Sequence, residues 1–280
     1  MFANHAHLMP DWMNPAGTLA ELLRLMEKCK LEGVVCFAPF SYQVTRRFFN
    51  PNKWLAKTIR GENNLVGFGT LNPNKPPEPQ VKMIVDLGFP GIKLHPAAQQ
   101  FDMLGQWAMK TYEQMEKHDL IADFHVAVHW HRLADYNPLH LDEIAFHFPN
   151  LKMVFEHVGG WHFFRQVLAV IANNQGRGNH LYAGIATVLD RENVPHWYLG
   201  PEGLEECRWQ IGDDRLIYGL DFPYNNVERV KKDLEIIERL KWPTSAIDGL
   251  LGGNLEALLR LDVDKPPKKP HSSPEALKKG

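Results

Sequence analysis

The chain begins with the apolar run Phe2-Ala3-Asn4-His5-Ala6-His7-Leu8. Read as a strand, it turns His5 and His7 to one face, because strand side chains alternate with period two. At the rise of a strand the two imidazoles stand about 7 Å apart along it, a spacing at which both can reach a single metal ion. A lone His-x-His also arises by chance. This one gains weight because later strand-like runs end in His or Asp too.

Those runs recur along the chain at 33–39, 65–71, 91–96, 120–126, 151–157, 181–186 and 215–221. Each is short and nearly continuously apolar, the mark of a parallel strand buried on both faces. Most are followed by a stretch with helical periodicity, at 19–26, 53–60, 80–87, 106–117, 139–148, 163–173, 227–240 and 254–259. Thr18 is a candidate N-cap for the first helix, and Gly33 its stop. Eight strand-helix units at roughly thirty residues each predict an α/β fold, a (β/α)8 TIM barrel, with an open doubly wound sheet as the alternative. No Gly-x-Gly-x-x-Gly follows the first strand, so nothing supports a nucleotide-binding reading. The barrel is expected over 1–263. The Pro-, Lys- and Ser-rich stretch 264–280 reads as a disordered tail.

Composition narrows the partners. Lys plus Arg number 31 and Asp plus Glu 33, a net charge of -2, which gives no electrostatic reason to expect nucleic acid or an anionic membrane. No apolar stretch approaches the ~20 residues of a spanning helix, and no signal peptide is read at the N-terminus. Cys29, Cys36 and Cys207 are isolated, which reads as reduced thiols in a cytoplasmic protein.

In a barrel, the chemistry sits at the C-terminal ends of the strands. Here those ends carry His5, His7, His95, His125, His157 and Asp221. Imidazoles with one carboxylate suit zinc, and also manganese or iron.

The motifs around these ends resemble the amidohydrolase superfamily, in the amidohydrolase-related branch that includes aminocarboxymuconate-semialdehyde decarboxylase. They are His5-Ala6-His7, Gly91-Ile92-Lys93-Leu94-His95-Pro96, Asp119-Leu120-Ile121-Ala122-Asp123-Phe124-His125, Asn150-Leu151-Lys152-Met153-Val154-Phe155-Glu156-His157-Val158-Gly159-Gly160, Asp214-Arg215-Leu216-Ile217-Tyr218-Gly219-Leu220-Asp221-Phe222-Pro223 and Leu251-Gly252-Gly253-Asn254. The resemblance implies that His5, His7, His125 and Asp221 hold one divalent metal, most simply zinc. It implies that His157 lies beside the metal and contacts the substrate or the reactive water. Two positions depart from the family. The acid two residues before the first histidine is Ala3, and the residue before Asp221 is the bulky Leu220.

The activity this implies is hydrolysis of a small, carboxylate-bearing substrate. A metal-activated water attacks, Asp221 is the general base, and His157 hydrogen-bonds the developing oxyanion. The alternative is a metal-dependent non-oxidative decarboxylase, a lyase. Lys93 is read as an ion-pair or substrate residue in preference to a carbamylated bridge between two metals. His95, Arg46 and Trp161 are the further substrate-binding candidates, with Tyr42, Arg47, His162 and Arg165 at the same mouth. His129 and His131 are read as loop residues outside the ligand set. A homo-oligomer is compatible with this reading.

Overall fold

The computed structural model describes residues 1–46 and 49–260; Arg47 and the expected tail at 264–280 lie outside the described residues. Nine parallel strands form one sheet: β1 (Phe2–His7), β2 (Gly33–Phe37), β3 (Leu65–Gly69), β4 (Gly91–Leu94), β5 (Ile121–His125), β6 (Lys152–Glu156), β7 (Leu181–Gly184), β8 (Leu216–Ile217) and β9 (Gly219–Phe222). The order is β8-β7-β6-β5-β4-β3-β2-β1-β9. The two ends of this order are neighbours in sequence, separated only by Tyr218. The run 215–221 is thus one barrel strand in two pieces. Its first piece pairs with β7 and its second with β1. Between them, the Tyr218 N–H bonds the Leu250 carbonyl at 3.0 Å and the Tyr218 carbonyl accepts the Asn4 N–H at 2.9 Å. The expected TIM barrel is the fold.

Among the described residues, eleven helices surround it: α1 (Leu19–Cys29), α2 (Pro51–Thr58), α3 (Pro77–Asp86), α4 (Pro96–Gln99), α5 (Gln106–Lys117), α6 (Leu139–His147), α7 (Gly160–Gln175), α8 (Gly200–Ile211), α9 (Val227–Glu238), α10 (Thr244–Asp248) and α11 (Asn254–Leu259). Thr18 caps α1 as read, its hydroxyl accepting the Glu21 N–H at 3.5 Å. The helix stops at Lys30 in the left-handed conformation, however, and Gly33 opens β2. Three helices, α4, α8 and α10, were not foreseen in the sequence.

Alternation divides each strand between two cores. Outward residues such as Val34, Cys36, Ile92, Phe124, Met153 and Phe155 pack with the helices. Inward residues Phe2, Val35, Phe37, Phe68, Ile121, Val154 and Ile217 form a separate apolar plug, closed by Leu255 and Leu258 of α11. With about 25 cal/mol per Å² of apolar surface removed from water, these two layers hold the barrel together. The plug also seals the N-terminal end, so the opposite end is where a pocket can form.

β1 breaks the alternation. Its register shifts against both neighbours between Ala3 and Ala6, and His5 has φ 67°. This bulge leaves Ala3 and Ala6 in the outer core while Asn4 and His5 both point inward. His5 and His7 share a face as expected. Asn4 joins them, which strict alternation does not allow.

Candidate metal centre and active site

Above the plug lies a buried polar layer. The Lys93 ammonium meets the Asp123 carboxylate at 2.6 Å, with both side chains 1% exposed or less. The Asn4 amide nitrogen donates to Asp123 Oδ2 at 2.7 Å and to the Glu156 carboxyl. Glu156 Oε2 in turn stands 3.0 Å from Nδ1 of His5. A Cβ on Gly184 would fall 2.5 Å from that carboxyl, so only glycine leaves room for it. Lys93 is therefore in an ion pair, one of the two roles left open for it beside substrate binding. Burial, and then the Asp123 charge, push the Glu156 carboxyl well above the usual range.

On this layer stands the first histidine group. Nε2 of His5 and Nε2 of His7 face each other at 3.1 Å, and Asp221 Oδ1 lies 3.4 and 4.0 Å from them. Burial, and then the Lys93 charge, hold His5 well below the usual imidazole range. The same two causes bring His7 to about 3. Burial raises Asp221 to about 6, against the pull of its Thr187 hydrogen bond. The two Nε2 atoms and the carboxylate oxygen lie within 4.8 Å of one another, and with both imidazole protons on Nδ1 they offer two lone pairs and a carboxylate oxygen to one point. That donor set fits a divalent metal ion of the zinc or manganese type. The Glu156 contact behind His5 is the kind of outer support that orients a metal-binding imidazole.

His125 stands apart from this trio. Its Nε2 donates to the Ala127 carbonyl at 2.8 Å, and its ring stacks on His95 with centroids 4.0 Å apart. His95, His125 and His129 form a second group whose ring nitrogens approach one another within 4.8 Å. Three of the four expected ligands are thus brought together, and His129, read as a loop residue, sits beside the fourth. His157 is wedged between the groups, with ring centroids 5.0 Å from His5 and 4.7 Å from His125. Its Nδ1 donates to the Ala186 carbonyl at 2.8 Å. A carbonyl can only accept, so the neutral ring carries its proton on Nδ1 and a lone pair on Nε2. Donation to an oxyanion, the role expected of it, needs a second proton that burial and Lys93 oppose.

Asp221 is oriented from behind. The Thr187 hydroxyl donates to its Oδ2 at 2.9 Å, and the Asn225 amide donates to that hydroxyl at 2.8 Å. Both histidine groups, His157 and Asp221 line one cavity of about 240 Å³ with aromatic walls that include Phe40, Tyr42, Trp197 and Tyr224. Arg46 and Trp161 do not line it. The Arg46 guanidinium lies over the Trp12 ring at 4.1 Å. Trp161 is 67% exposed and borders a separate surface cavity with His162 and Arg165. Among the described residues, the arginine that lines this cavity is Arg229, from α9, whose Nε is 3.2 Å from Asp190.

Sequence reading passed over Asn4, Asp123, Glu156, Thr187 and Asn225. The two acids had a signal: an ionisable residue two places before the strand-end histidine, or one place before it, inside an apolar run. Thr187 and Asn225 lie in loops beyond the strands, where nothing in the sequence marks them.

A family model described as Amidohydrolase matches residues 37–261. It begins after β1, so His5 and His7 rest on geometry alone. No curated protein matches the sequence. Among solved structures, an uncharacterised TIM-barrel protein of Bordetella bronchiseptica aligns with TM-score 0.74 at 18% identity, over 93% of this chain and 99% of that one. The 5-carboxyvanillate decarboxylase of Sphingomonas paucimobilis aligns with TM-score 0.72 at 13% identity, over 93% and 98%. A 2-pyrone-4,6-dicarboxylic acid hydrolase assignment in Pseudomonas putida aligns with TM-score 0.69 at 19% identity, over 93% and 97%. At these identities the solved structures speak for the fold. The family match covers most of the chain and ends at the last barrel helix, and on that ground the chain belongs to the amidohydrolase family.

Proposed function

We propose that the protein is a metal-dependent hydrolase acting on a small, carboxylate-bearing substrate. One divalent ion would be held by His5, His7 and Asp221, with His125 the fourth expected ligand. Zinc is the first choice by donor type, with manganese or iron next. When bound, such an ion supplies the positive charge that makes hydroxide available near neutral pH and polarises a carbonyl.

One observation carries the reading. Asp221 divides its two oxygens, Oδ2 toward Thr187 and Oδ1 toward the two imidazoles. A carboxyl so fixed keeps Oδ1 on the side of the imidazoles, where it can exchange a proton with a bound water. It takes a proton from the attacking water and returns it to the leaving group. His157, with its lone pair on Nε2, accepts a hydrogen bond from that water or from substrate. The aromatic walls exclude bulk water and strengthen these contacts.

The second reading is a decarboxylase. It is favoured by those same walls, which suit a planar unsaturated acid, and by Asp221, which in its protonated form could deliver a proton to carbon. A panel of esters, lactones and amides, run beside aromatic and unsaturated acids assayed for carbon dioxide, separates the two. Hydrolysis without carbon dioxide release supports the first; the converse replaces it. In either case Asp221→Asn should cut turnover by about 10²–10⁴ with the circular dichroism spectrum unchanged. Full activity in that variant removes Asp221 from the chemistry.

A further inference from the structure

The second histidine group could be taken for a second cation site, since His95, His125 and His129 offer ring nitrogens within 4.8 Å of one another. The hydrogen bonds argue otherwise. His95 caps α4: its Nδ1 accepts the Ala98 N–H at 3.3 Å. A ring nitrogen that accepts carries no proton, so the neutral ring has its hydrogen on Nε2. That Nε2 is buried and has no hydrogen-bond partner, on a side chain 6% exposed. On His125 the nitrogen facing Ala127 is likewise committed, donating to that carbonyl at 2.8 Å. The group therefore holds a buried N–H without an acceptor, on a ring that lines the cavity. A metal ion needs a lone pair there.

We infer that His95 forms an anion subsite, its Nε2–H donating to an anionic oxygen of the substrate, a carboxylate in the simplest case. This rests on the proposed reading of the cavity as a small-acid site, and deepens it by naming the residue that recognises the charge. A buried donor left unsatisfied costs free energy that a ligand's anionic oxygen recovers. The ring has little freedom to turn away. His125 stacks on one face, Phe40 approaches at 6.3 Å between centroids, and His131 approaches edge-on at 5.8 Å. The loop above is pinned by the His129 N–H, which donates to the Tyr136 hydroxyl at 3.0 Å. His95 is one strand along from His125 and lines the same cavity as Asp221, so an acid held there reaches across the mouth toward the first histidine group. This also supplies the hydrogen-bond donor that the His157 tautomer lacks.

The test is binding of benzoate against benzamide to the protein as purified, followed by calorimetry, in wild type, His95→Leu and His95→Gln. The leucine removes the donor. The glutamine keeps an N–H for the ligand and an oxygen for the Ala98 N–H. Benzoate affinity should fall about tenfold or more in His95→Leu and return most of the way in His95→Gln, while benzamide changes little. Long-range proton–nitrogen NMR on histidine-labelled protein should show a ring protonated on Nε2 that disappears in both variants. Neither readout requires turnover, so they stand whether or not hydrolysis is the reaction. Unchanged benzoate affinity in His95→Leu, or a His95 ring protonated on Nδ1, overturns the assignment. A second equivalent of zinc, bound by wild type and lost in His95→Leu with the first retained, also overturns it and makes the group a cation site.

Discussion

The two sides of the barrel mouth are built differently. On β1, just past β6 and on β9, three site residues sit where the backbone leaves the extended region: φ is 67° at His5, 60° at His157 and 52° at Asp221. On β4 and β5 the path is regular, with His95 at φ -131° and His125 closing its strand without such a turn. Left-handed φ at a non-glycine residue costs of order 1–3 kcal/mol and persists where surrounding structure over-determines it. The surroundings here are the buried layer below and the helix-packed residues behind. The strained side gathers lone pairs and a carboxylate; the regular side presents an N–H. On the proposed readings, one half of the mouth would hold the cation and the other the anionic oxygen of the substrate, with His125, the fourth expected metal ligand, at the end of β5 on the border between them.

The largest effect that separates the halves is in metal binding. His5→Ala should lose most of the bound metal, measured by elemental analysis of protein purified without chelator. His129→Ala, on the other half, should keep it. Equal losses in both variants would merge the two groups into one centre.

Next in size is the support behind His5. Glu156→Gln should weaken metal binding by about 10- to 100-fold, read by competition with a chromophoric chelator, because the amide cannot reproduce the carboxyl behind Nδ1. Gly184→Ala should act in the same direction, since its Cβ would land 2.5 Å from that carboxyl. Unchanged affinity in both variants would leave the polar layer a packing feature only.

Much of this was legible in advance. The strand positions were, because a barrel strand buried on both faces needs a continuous apolar run. The strand-end histidines and Asp221 were, because each interrupts such a run at its end. α8 was missed, although Leu204, Cys207 and Ile211 fall on one buried face; its Gly200-Pro201 start and paired acids mask the periodicity. The inward turn of Asn4 was not legible. A bulge depends on how β1 is gripped by β2 and β9, and those contacts lie far off in sequence. Arg46 and Trp161 were misplaced for the same reason. A loop's direction is set by what it packs on, and Arg46 packs on Trp12.

Acid should expose the neutral imidazoles. His5, His7, His95, His125 and His157 are all held below the ordinary imidazole range, with burial the first cause in each. Below about pH 6.5 the unfolded chain therefore binds more protons at these five positions than the fold does, and stability falls as pH falls. Asp221, Glu156 and Asp233 are raised and run the other way, losing stability as pH rises through their window. Five groups outweigh three. The Tm of chelator-treated protein should drop between pH 7 and pH 5, each imidazole contributing up to about 1.4 kcal/mol per pH unit once its unfolded counterpart is protonated. A Tm that is flat or rises on acidification would mean that several of these rings are charged in the fold. Metal-loaded protein should start higher, and its advantage should shrink on acidification, because protons compete for the same lone pairs.

The smallest expected effect tests the boundary of the site. Arg46 was a natural choice for binding a substrate carboxylate, since a guanidinium matches a carboxylate in two-point hydrogen bonding. Its guanidinium is instead over the Trp12 ring at 4.1 Å, and Arg229, which does line the cavity, already has its Nε near Asp190. Trp161 faces solvent beside a different cavity. Arg46→Ala and Trp161→Ala should therefore change kcat/KM by no more than about twofold, within the ±0.5 kcal/mol typical of surface substitutions. A rise of tenfold or more in KM for Arg46→Ala, with kcat retained, would show that the loop carrying it closes over bound substrate. Charge recognition would then be shared between that loop and His95.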